Sequence, residues 1–103
     1  MGKNSDIESI SNSISITILH KIVIAHTNKP EAINKMTYEE IEYRGQSLKK
    51  INKINLSEKD KAIIKEKVMR KINNQLQTKY SDIKINKEIV IKTIDSELNS
   101  FFN

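Results

Sequence analysis

Ile64, Val68, Ile72, Leu76 and Tyr80 recur every four residues through a segment made mostly of good helix formers. No other feature of the sequence constrains its fold as tightly. On a helix of about 3.6 residues per turn this spacing drifts by about 40° per step, so the stripe winds slowly round one face. Ile63 and Met69 widen it. Ser57-Glu58-Lys59-Asp60 supplies a capping-box start, and Glu66 and Arg70 stand at i,i+4 as a surface pair. A second stripe, Ile91, Ile94, Leu98 and Phe101, follows a polar break over residues 78–86. Asn86 is its expected N-cap, with Ile85 and Val90 as the hydrophobic staple.

Upstream, Thr37-Tyr38-Glu39-Glu40 reads as another capping box, with Met36 and Ile41 as its staple. Glu39, Glu40 and Glu42 come early in that segment, and Arg44, Lys49, Lys50 and Lys53 come late, an order that suits the helix dipole. Pro30 closes the segment before it, because proline cannot continue a helix from the preceding residues.

The first third of the chain admits two periods. Ile7, Ile10, Ile14, Ile18, Ile22 and Ala25 fit one face of a helix, with Ser5-Asp6-Ile7-Glu8 as a capping box. Residues 14–26 also alternate strictly, as a strand would. Helix is the preferred reading: no turn residue folds this stretch into a hairpin, and no other strand exists to pair with it. The strand remains the minority alternative. The expectation is therefore one all-α domain over residues 1–103, a small bundle of about four helices near 7–27, 38–53, 58–79 and 87–102. Residues 1–5 are expected to fray.

Composition removes whole classes of function. The chain has no cysteine, so disulfides, thiolate nucleophiles and zinc–thiolate sites are excluded. Gly2 and Gly45 are its only glycines, which removes phosphate-cradling loops and nucleophile elbows. His20 and His26, six apart, point about 120° away from each other on a helix and cannot share a metal. Capping and dipole complementarity account for Glu39, Glu40 and Glu42 without acid/base chemistry. No catalytic residue, cofactor site or metal site is expected, and the chain reads as a non-enzyme. The most apolar run, residues 14–25, contains Ser15, Thr17, His20 and Lys21, too polar to cross a membrane. Met1-Gly2 resembles a myristoylation start, but Asp6 stands where that signal needs Ser or Thr. No secretory signal is evident, so cytoplasmic placement is the expectation.

The net charge of +5 is concentrated, with +4 of it on residues 54–80. Lys61, Lys65, Lys67, Arg70 and Lys71 are the candidate polyanion patch. Against that reading, the aromatics are not interleaved with these residues, and Arg44 and Arg70 are the only arginines. The abundance of Lys also has a plain source, since 19 Ile, 16 Lys and 11 Asn reflect A- and T-rich codons. Gly45, inside a helix, implies close packing, a helix break, or the close approach of a partner's backbone. The first helix is apolar nearly all round, and Phe101 and Phe102 add apolar area at the C-terminus. Either that first helix is the centre of a bundle or one of its faces meets another chain. The leading functional expectation is a small non-catalytic interaction module or accessory subunit with a protein partner or a second copy. Weak electrostatic binding of nucleic acid is the alternative.

Overall fold

The computed structural model describes residues 3–27 and 29–102. These residues form four helices and no strand: α1 (Lys3–His26), α2 (Pro30–Asn52), α3 (Glu58–Gln77) and α4 (Lys87–Phe102). Residues 14–26 are helical, so the strand alternative is overturned.

α1 is the centre of the bundle, touching each of the other three helices. Ile10, Ile14 and Ile18 are fully buried along one line, and Leu19, Ile22 and Val23 are buried beside them. Ser11, Ser13, Ser15 and Thr17 are buried as well. They fit a helix interior because each hydroxyl is small and most find a nearby partner. Ser15 Oγ donates to the Ser11 carbonyl at 2.6 Å, Thr17 Oγ1 donates to the Ser13 carbonyl at 2.9 Å, and Ser13 Oγ accepts from Lys50 Nζ at 2.8 Å. A helix lined with isoleucines and back-bonded hydroxyls is thus buried on most sides, and the period-2 alternation is incidental.

Ile64, Val68 and Ile72 of α3 and Val90, Ile94, Leu98 and Phe101 of α4 complete the core. α3 starts as its sequence demands. Asp60 N–H donates to Ser57 Oγ at 3.1 Å, and Ser57 N–H donates to Asp60 Oδ2 at 3.0 Å. At α4, Asn86 Oδ1 accepts from the Glu88 N–H at 2.7 Å. The α4 face is turned slightly from the expected one: Val90 is buried, whereas Ile91 is 43% exposed.

Two helix starts need correction. α2 begins seven residues before Thr37, with Pro30 in its first turn, where a missing N–H costs nothing. Thr37 lies inside the helix and donates to the Ile33 carbonyl at 2.7 Å, while the Glu40 carboxylate is taken by Arg44. Ile41 is accordingly no staple but a 61% exposed side chain. Similarly, Ser5 sits within α1, and Glu8 pairs with Lys67 and Lys71 on α3 rather than closing a capping box. Of the residues expected to fray, 3–5 are helical, and 1 and 2 lie outside the described residues.

α2 packs unlike the others. Its only fully buried residue is Ser47, with Met36 and Ile51 partly buried against the core. Gly45 lies on its outer side, in unbroken helix, and a Cβ built there meets nothing within 4 Å. Neither close packing nor a helix break explains this glycine. Gly45→Ala should therefore stabilise the dilute, monomeric chain by about 0.5–1 kcal/mol, because only backbone entropy changes. Denaturant melts at low protein concentration measure it, and a loss of stability would mean that Gly45 makes a contact within the chain.

Candidate functional site

The five residues of the proposed polyanion patch all sit on α3, and each has a carboxylate neighbour. Lys61 meets Glu58 at 3.3 Å and Lys65 meets Asp95 at 2.7 Å. Lys67 and Lys71 share Glu8 at 3.0 and 2.9 Å, and Arg70 meets Glu66 at 3.1 Å. Their hydrogen bonds, Lys71's foremost, hold the Glu8 carboxyl below its ordinary value. An arriving phosphate would compete with these carboxylates. Binding to unrelated DNA and RNA should accordingly be weak at low salt and vanish near physiological salt, without sequence preference. Titrations at two salt concentrations check this, and sequence-selective binding that survives salt would mark the patch as a site.

A cleft of about 640 Å³ lies between α1, α2 and the end of α3. His20, Glu39, Tyr43, Lys79 and Tyr80 are among its lining residues. His20 is buried and its Nδ1 has no partner. Burial lowers its pKa, and Lys79 acts in the same direction against the opposing pull of Glu39 and Glu40. The imidazole is thus kept neutral in a cleft of mixed polarity. Among the described residues, no three His, Asp or Glu side chains are grouped to hold a metal ion, and no helix is long and apolar enough to cross a membrane.

A polar junction joins three helices. Arg44 of α2 reaches Glu97 of α4 at 2.5 Å and Glu40 of its own helix at 2.6 Å, and Lys21 of α1 reaches Glu97 at 2.8 Å. The guanidinium also lies 5.2 Å from the centre of the Phe101 ring. Burial alone would push the Glu97 carboxyl up, but the hydrogen bonds from Arg44 and Lys21 outweigh it and hold it below its ordinary value. A further pair fixes the start of α3. Lys3, 2.6 Å from Asp60, lowers that carboxyl from 3.8 to about 2, aided by the Ser57 N–H. Asp60 is depressed in the folded state, so its stabilisation is complete above its unfolded pKa and is lost as pH falls from 3.8 towards about 2. Asp60→Asn should lower Tm at pH 6 and matter much less near pH 2. An equal penalty at both would show that the capping geometry alone carries the effect.

The outer face of α2 is the remaining feature. Tyr38 is 77% exposed, Ile41 61% and Leu48 42%, and their 3–7 spacing, with Gly45 between, aligns them along one side of the helix. Glu42 and Lys49 border the stripe on one flank, and neither forms an ion pair among the described residues. The exposed large hydrophobics thus lie on α2 and, with Ile89 at 47% and Ile91 at 43%, on α4, whereas sequence reasoning sought an apolar surplus on α1 and at the C-terminus. The displaced start of α2 hid the part on α2, because a staple role for Ile41 leaves no exposed stripe to find. No known family, curated protein or solved structure matches the chain.

Proposed function

We propose that the protein is a small non-catalytic interaction module, acting in the cytoplasm, that engages a protein surface through the outer face of α2. The observation that carries this reading is the row of exposed Tyr38, Ile41 and Leu48 along one side of a helix whose opposite side is packed on α1. An exposed apolar row bordered by charge is the usual form of a helical contact surface. The alternative, electrostatic binding of nucleic acid through α3, has less support because its basic side chains already face carboxylates.

The double variant Ile41→Glu/Leu48→Glu tests the reading. Both positions are solvent-facing, so its helix content and Tm should match those of the wild type. Tagged full-length chain isolated from its native source should retain a species, a second copy or another protein, that the variant loses. Wild type and variant that are equally monomeric and retain the same proteins would overturn it.

A further inference from the structure

Resting on that reading of α2, we infer that the occupant of the stripe is a second copy of this chain, docked antiparallel with the two helices crossing at Gly45. The sequence of the face is self-complementary about that residue. Ile41 lies four residues before Gly45 and Leu48 three after it, while Glu42 lies three before and Lys49 four after. A two-fold axis through Gly45 reverses the helix but keeps each flank on its own side. Ile41 then meets Leu48 of the second copy on the apolar flank, and Glu42 meets Lys49 of the second copy on the other.

The rise of about 1.5 Å per residue places all four positions about 4.5–6 Å from the crossing, so both matches fall at the same heights. Each contact occurs twice in an isologous pair. A parallel pair offers no such match, since Glu42 and Lys49 would stay about 10 Å apart along the axis. Tyr38 and Asn52, seven residues to either side of Gly45, also come opposite each other, and both are exposed.

Gly45 supplies the second observation. It occupies the middle of the exposed arc, a Cβ built on it meets no neighbouring atom within 4 Å among the described residues, and it weakens the helix that carries it. A bare backbone at the crossing lets two helices approach to the short end of the usual 8–10 Å separation. Glu42 and Lys49, without an ion pair among the described residues, gain their partners in the same step. One helix face buries less than the ~1,600 Å² of a standard interface, so the dimer should dissociate in the micromolar range.

Sedimentation equilibrium of the full-length chain from about 1 μM to about 1 mM is the test. The wild type should pass from monomer to dimer and stop at two chains. Glu42→Lys and Lys49→Glu, each placing two like-charged pairs across the crossing, should weaken association at least about tenfold. The double swap, Glu42→Lys with Lys49→Glu, should restore it to within about threefold. Gly45→Leu should abolish the dimer, while circular dichroism of the dilute variant shows an intact fold, since leucine suits a helix and the space is open. A wild type that stays monomeric at the highest concentration overturns the inference. So does a dimer indifferent to Gly45→Leu, or a double swap that fails to rescue. A monomer that still captures a different protein through Ile41 and Leu48 overturns the inference alone and leaves the broader reading standing.

Discussion

Ile72→Ala will cost about 2–5 kcal/mol, a large share of the 5–15 kcal/mol expected of a domain this size. Ile72 is fully buried midway along α3, in one cluster with α1 and α4. Alanine there removes three heavy atoms from a site that is fully enclosed, so a cavity remains. Lys67→Ala on the same helix breaks only a half-exposed pair with Glu8 and should stay within about 1 kcal/mol. Urea melts of the two variants make the comparison. Similar losses in both would mean that α3 presents a different face to α1.

The agreement between stripe and core was legible because α3 and α4 obey local rules. Ser57 with Asp60 and Asn86 with Glu88 make the caps their sequences imply, and Ile64, Val68 and Ile72 are buried as their spacing requires. α2 was legible only in part. Its inner face carries Met36 and Ile51, but Ser47 and the long side chains of Arg44 and Lys50 break the apolar period between and beside them. Its true start at Pro30 lacks a side-chain cap, so the better-looking box at Thr37 drew the boundary inward. Contacts between helices were beyond sequence altogether. Nothing in the spacing of Lys21, Arg44 and Glu97, which are 23, 53 and 76 residues apart, says that they meet. Nor does the charge count reveal that Lys67 and Lys71 spend their charge on Glu8. A surface patch is a property of the packed chain, and a count over a stretch of sequence leaves out the carboxylates that other helices bring to it.

Breaking the junction at Arg44 should produce the second large effect, and an asymmetric one. Arg44→Ala leaves Glu97, whose side chain is only 10% exposed, with Lys21 alone, and leaves Glu40 with no basic partner. It also strips the guanidinium from the Phe101 ring. Removing one member of a buried pair costs about 3–5 kcal/mol, and the partial exposure of Arg44 argues for about 3. Glu97→Ala should cost less, about 1–2 kcal/mol, because Arg44 keeps Glu40 and Lys21 can swing into water. The pH dependence then separates charge from packing. In the wild type the Glu97 carboxyl sits below its ordinary 4.5, so its stabilisation is complete above that value and is lost as pH falls. Without Arg44 the desolvation that opposes ionisation is no longer outweighed by that partner, and protonation relieves the buried charge. Acidification below about pH 4.5 therefore erodes the wild type while easing the Arg44→Ala variant, and the gap between them should narrow. Denaturant melts of both chains at pH 7 and pH 4 measure that gap, and one that stays constant would assign the Arg44 contribution to its packing on Phe101 rather than to its charge.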